Sequence, residues 1–188
     1  MQIETMPRRR LLQLGLATAG LAVLPKFARA DVAAPQREIR RLAVHNLHTG
    51  ESFREVYWEK GEYVQGALAE ADKVLRDFRT GEVKPIDRRL FDLLDDVSAK
   101  VETNKPFQII SAYRSPKTNA MLKAEHENSG VATKSLHMDG MAMDVRLQDV
   151  QLANLRRAAL SLGRGGVGYY PRDNFVHMDV GRVRQWGG

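Results

Sequence analysis

The stretch Ser135–Val145, SLHMDGMAMDV, sets a histidine and an aspartate seven positions apart in an apolar setting around a glycine. A buried carboxylate is unfavourable unless something pairs with it. Asp139-Gly140 favours chain reversal. Beyond it Ala142, Asp144 and Arg146 alternate with Met143, Val145 and Leu147, which is the period of a strand. The turn therefore brings His137 toward Asp144, and an imidazole with a carboxylate is half of a metal site. A last predicted strand, FVHMDVG at 175–181, supplies the other half. Phe175, His177 and Asp179 share one face of it, because side chains alternate along a strand. His137, Asp144 and His177, all in strand contexts, form a two-histidine, one-carboxylate set. Three protein ligands with one open position is the catalytic zinc arrangement. Spacing alone leaves the plain alternative open, that a histidine and an aspartate on separate strands are unrelated.

Working outward, the pattern is that of a single α+β domain, a mainly antiparallel sheet with helices packed on it. Residues 41–64 read as a β-hairpin turning at Thr49-Gly50. His45 and His48 lie there as ordinary strand or turn residues. An apolar stripe from Ala67 to Phe78 predicts a helix over 66–79, ended by Gly81. A second stripe, Ile86 to Val101, predicts a helix over 85–101, with Asp87, Asp92, Asp95 and Asp96 on its solvated face. Phe107 to Ala112 read as a strand ending in the polar cluster Tyr113-Arg114-Ser115-Pro116. Helices follow over 118–127, with His126 on the surface, and over 149–162. The Gly-rich segment Gly163–Gly168 reads as an open groove.

The 188-residue chain has no cysteine, which excludes thiolate metal sites and cysteine nucleophiles. Its first 30 residues have a basic start, an apolar middle and an Ala28-Arg29-Ala30 end, the layout of an export signal. Arg8-Arg9-Arg10-Leu11-Leu12 resembles the twin-arginine consensus, with Pro7 where Ser or Thr is usual. The apolar run Leu11–Leu24, interrupted by Gln13 and Thr18, falls short of the ~20 residues of a membrane span. An uncleaved anchor and a plain secretory signal are the other readings. Residues 31–40 read as a linker and 41–188 as the functional domain. The signal holds Arg8, Arg9, Arg10, Lys26 and Arg29 against Glu4, so +4 of the chain's net +6 lies there and +2 remains. With the basic cluster outside the folded part, a nucleic-acid surface is not expected.

Three segments in this order, SAYRSPKTNAML (111–122), SLHMDGMAMDV (135–145) and GGVGYYPRDNFVHMDVG (165–181), resemble the zinc peptidoglycan peptidases related to the D-Ala-D-Ala carboxypeptidases and the hedgehog fold. With RLAVHNLHTGES (41–52) and GRVRQW (181–186), the resemblance covers nearly all of the mature chain and points to the exported murein endopeptidase K-like branch. It implies one Zn²⁺ per chain on His137, Asp144 and His177, and a substrate or transition-state contact from Arg114. It implies that Tyr113, Ser115 and Ser135 meet substrate, with Asn119 in the same motif. An ion pair is the alternative for Arg114, and packing or capping for Tyr113 and Ser135. The physical chemistry agrees: zinc activates water at neutral pH, and a guanidinium stabilises a developing oxyanion.

One departure stands out. The carboxypeptidase relatives carry Glu or Asp three residues before the second histidine ligand, as general base. Asn174 occupies that position here and cannot take a proton. Asp173 is adjacent but points elsewhere. Asp179 is the expected base, with orientation of a ligand as its alternative role. The expected function is hydrolysis of peptide cross-links in peptidoglycan, at or near meso-diaminopimelate, in the periplasm after twin-arginine export. The rivals are a small-substrate carboxypeptidase or dipeptidase on the same fold, and a zinc-containing wall-binding module without activity, which Asn174 would favour.

Overall fold

The strand alternation around Asp144 and His177 extends into an eight-stranded sheet. A computed structural model describes residues 37–125 and 132–187. These lie within a compact unit of residues 36–188. The expected export signal, most of the expected linker and His126 fall outside the described residues.

The strands are β1 (Ile39–Asn46), β2 (Ser52–Glu59), β3 (Glu62–Tyr63), β4 (Phe107–Ser111), β5 (Ala142–Arg146), β6 (Gly166–Tyr170), β7 (Phe175–Asp179) and β8 (Arg184–Gly187). Their order across the sheet is β3-β2-β1-β4-β5-β7-β6-β8. Five pairings are antiparallel; β1–β4 and β6–β8 are parallel, so the sheet is mainly antiparallel as the pattern predicts. β1 begins at Ile39, inside the stretch read as linker, because Ile39 and Arg40 already pair with Glu59 and Trp58.

Four helices flank the sheet: α1 (Gln65–Val74), α2 (Arg88–Lys100), α3 (Pro116–Glu125) and α4 (Leu152–Leu162). Met143, Val145, Val176 and Met178 are buried in the core. Asp144, His177 and Asp179 alternate with them and take the opposite face. α4 packs against β6 and β7, and α2 against β1 and α4.

Two helix expectations change. The first helix stops at Val74, short of the stripe's end at Phe78. Beyond it Leu75 O accepts from Tyr113 N and Asp77 N donates to Glu82 O, so the chain leaves the helix to join other segments. The acidic face of α2 is not solvated throughout. Asp87 is the N-cap and accepts from Arg89 N. Asp92 accepts from the Tyr57 and Tyr63 hydroxyls and pairs with Arg40 at 2.6 Å. Asp95 is buried and pairs with Arg37 at 2.9 Å.

Candidate metal centre and active site

The site is organised by one transverse row of the sheet. Ser111 pairs with Asp144, Asp144 with His177, His177 with Gly168 and Gly168 with Trp186, in register across β4, β5, β7, β6 and β8. Pairing sets Asp144 and His177 side by side on one face. His137 arrives differently. It lies not on a strand but on a single 3₁₀ turn, Leu136–Asp139, closed by Gly140 in the left-handed region at φ 67°. A side chain on Gly140 would meet Pro85 O at 2.6 Å, so glycine is required there twice over.

His137 Nδ1 is 2.7 Å from Ala112 O, and a carbonyl only accepts, so Nδ1 carries the proton and Nε2 presents a lone pair. His177 Nε2 faces Asp179 Oδ2 at 3.1 Å and its Nδ1 faces Asp144 Oδ1 at 2.8 Å. His137 Nε2 lies 3.2 Å from His177 Nδ1 and 3.3 Å from Asp144 Oδ2. The donor atoms of the three residues thus approach one another at 3.2 Å between the histidines, at 3.3 Å from His137 to Asp144 Oδ2 and at 2.8 Å from His177 to Asp144 Oδ1. A tetrahedral ion with bonds near 2.0–2.1 Å needs ligand separations of about 3.3 Å, so the donor set fits a small divalent metal. Burial opposes charge on His177, but hydrogen bonds to Asp144 and Asp179 outweigh it and raise its pKa to about 9 without a metal. Burial likewise opposes charge on Asp144, and the two histidines overcome this to hold its pKa below the usual carboxylate range.

Arg114 stands beside the ligands. Its Nη2 is 3.7 Å from Asp144 Oδ2 and donates to Ser111 Oγ at 3.2 Å; Nη1 donates to Asn119 Oδ1 at 3.4 Å. Its Nε is buried without a hydrogen-bond partner. Burial holds its pKa below the ordinary value, with Asp144 opposing. The cleft of about 340 Å³ over His137, Asp144 and His177 is lined by Arg114, Lys134, Ser135, Tyr170, Phe175 and Trp186, among others.

Two of the residues expected to meet substrate do other work. Tyr113 is buried in the core and its hydroxyl donates to Glu82, so it does not line the cleft. Ser115 is buried; its Oγ accepts from Thr118 N at the start of α3 and its N–H donates to Asp77, so it is a helix cap. Asn119 holds Arg114 and donates to Ala132 O at 3.1 Å. Asn174 is exposed in the β6–β7 turn at φ 56°, where Asn is among the few residues tolerated. Backbone conformation accounts for it, and neither it nor Asp173 lines the cleft.

Asp179 is fully buried with both oxygens engaged. Oδ1 accepts from Gly166 N, Gly181 N and Arg184; Oδ2 accepts from Arg184 at 2.7 Å and faces His177. Burial disfavours its charge, and these donors more than compensate, lowering its pKa. The Gly-rich segment is not an open groove at this point. Gly166 and Gly168 are covered by Arg184 and Trp186, and β8 is the element the sequence reading missed. So is the strap Leu75–Asp87. Its Asp77 holds Ser115 N at 2.8 Å, Lys84 donates to Met138 O at 2.7 Å, and Asp87 N donates to Gly140 O at 2.9 Å. These charged positions carry no periodicity, so nothing local marks them.

The sequence profile of the family described as peptidoglycan L,D-endopeptidase MepK matches residues 34–186. The peptidoglycan L,D-endopeptidase MepK of Escherichia coli strain K12 is 46% identical over 179 residues, 95% of this chain and 96% of that protein. The probable peptidoglycan L,D-endopeptidase MepK of Haemophilus influenzae is 36% identical over 182 residues, 96% of each chain. With matches of that extent, spanning the residues that carry His137, Asp144 and His177, the chain belongs to the peptidoglycan L,D-endopeptidase MepK family of peptidases.

Proposed function

We propose that this protein is a periplasmic zinc endopeptidase that hydrolyses L,D-peptide cross-links of peptidoglycan, and that His137, Asp144 and His177 hold its metal. Membership of a family of endopeptidases makes it an enzyme. The observation that carries the metal reading is the convergence of donor atoms from His137, Asp144 and His177 beside a buried guanidinium. Bound there, zinc supplies an activated water and a Lewis acid for the peptide carbonyl.

The chain's own residues supply the rest. Arg114, held by Ser111 and Asn119 beside Asp144, would stabilise an oxyanion developing at the peptide carbonyl, and its burial would strengthen that interaction. Tyr170, Phe175 and Trp186 give the cleft aromatic surface, and Arg114, Lys134 and Arg184 give it cationic groups, a lining suited to a peptide that carries carboxylates. We assign Asp179 to orientation of His177 instead of proton transfer, because its oxygens are saturated and it is sealed from the cleft. Asp144 is the one carboxylate among the described cleft residues. The signal at residues 1–30 would deliver the enzyme to the cell wall; among the described residues no helix is long and apolar enough to cross a membrane.

The test is digestion of purified sacculi with and without chelator, followed by mass analysis of the released muropeptides. Chelator-sensitive release of products cut at an L,D bond is expected. Products cut only at a terminal residue would make it a carboxypeptidase. Binding of sacculi without release would make it a wall-binding module.

A further inference from the structure

We propose that the C-terminal strand β8 is a positioning device for His177, acting through Trp186 on the imidazole face and through Arg184 on the carboxylate that holds its edge. This rests on the metal-site reading above. His177, Gly168 and Trp186 follow one another in register across β7, β6 and β8. Gly168, in the middle, has no side chain, so the indole reaches across it to His177. The two rings lie 5.1 Å apart at 54°. Trp186 Nε1 donates to the Tyr170 hydroxyl at 2.8 Å, which fixes the indole in its plane. A Cβ on Gly168 would stand 2.7–2.9 Å from three indole atoms, too close for both to remain in place.

The arrangement repeats two residues earlier on β6 and β8 and two residues later on the antiparallel β7. Gly166 pairs with Arg184, and the guanidinium crosses the bare glycine to Asp179. A Cβ on Gly166 would meet that guanidinium and that carboxylate. Asp179 in turn faces His177 Nε2. One strand thus governs the same imidazole by two routes, and the routes touch: the Arg184 guanidinium lies 4.8 Å over the Trp186 ring. The Asp179 bond decides which ring nitrogen faces the cleft, and the indole limits the tilt of the ring. β8 is a four-residue edge strand, and neither Arg184 nor Trp186 belongs to the buried core.

The experiment measures zinc affinity of the purified protein by competition with a chromogenic chelator, and the visible absorption of the cobalt-substituted protein. The variants are Trp186→Ala, Trp186→Phe, Arg184→Gln and Gly168→Ala. Loss of a partner that orients a metal ligand weakens affinity about 10–100-fold, and that is expected for Trp186→Ala and Arg184→Gln. Gly168→Ala should match them although the tryptophan is still present, and Trp186→Phe should recover much of the loss. The cobalt spectrum should shift in Trp186→Ala, which a loss of stability alone would not produce. Circular dichroism of each metal-free variant checks the fold; if Trp186→Ala does not fold, Gly168→Ala and Trp186→Phe decide. Wild-type zinc affinity and an unchanged cobalt spectrum in the folded variants overturn the proposal. A wild type that binds no zinc overturns the metal-site reading itself, and this inference with it.

Discussion

Asp144 Oδ1 and His177 Nδ1 stand 2.8 Å apart, directly across the β5–β7 ladder, so the sheet register itself pairs these two ligand atoms. One zinc per chain is expected, with near-complete loss in His177→Ala, measured by elemental analysis after mild purification. The metal must displace the proton that His177 holds up to about pH 9 in the metal-free protein. The sign follows: at pH 7 binding releases a proton, and affinity falls as pH falls. Chelator competition at pH 8 and pH 6 should differ by about tenfold per unit. A pH-independent affinity would remove His177 from the ligand set.

The same imidazole separates the two roles open to Asp179. Asp179→Asn keeps the shape and removes the charge that faces Nε2. We expect zinc affinity to fall about 10–100-fold, and hydrolysis at saturating zinc to fall by no more than that. Unchanged zinc affinity with a 10²–10⁴-fold loss of hydrolysis, the usual contribution of a general base, would return proton transfer to Asp179.

How much of this was legible beforehand depends on range. Alternation around Asp144 and His177 is a local signal, and it puts both residues on strands facing one way. His137 belongs to a 3₁₀ turn because Gly140 packs against Pro85, a contact no local pattern announces. Asp92 and Asp95 read as solvated because α2 alone is visible in the sequence; the hairpin tyrosines and Arg37 that cover them come from elsewhere. Gly166 and Gly168 gain their meaning only once β8 pairs parallel to β6. The motif around Arg114 suggests that Tyr113 and Ser115 meet substrate, but which way each side chain turns depends on the strap at Leu75–Asp87, which draws both away from the cleft.

Export is expected to depend on the arginines at the start of the chain. Replacing Arg8, Arg9 and Arg10 together by Lys keeps the charge and removes the twin-arginine pattern. Fractionation should then find the precursor in the cytoplasm. Normal export of that variant would assign a plain secretory signal.

Asp77 yields a prediction about acid stability. It is 1% exposed and accepts from Ser115 N at 2.8 Å and Arg79 N at 2.9 Å. Burial alone would raise its pKa, but hydrogen bonds from Ser115, Thr118 and Arg79 outweigh this and bring it from 3.8 to about 2. A depressed carboxylate pKa stabilises the fold above the unfolded value and loses that contribution as pH falls through the folded one. The window is therefore between about pH 4 and pH 2, and the contribution is about 2 kcal/mol. Asp77→Asn should abolish this part of the pH dependence, read as a flatter urea-unfolding free energy across that window. The same change loosens Ser115 and hence the neighbouring Arg114, so kcat should fall with KM much less affected. Identical acid profiles for the wild type and Asp77→Asn would show that the Asp77 carboxylate does not hold the start of α3 in its charged form.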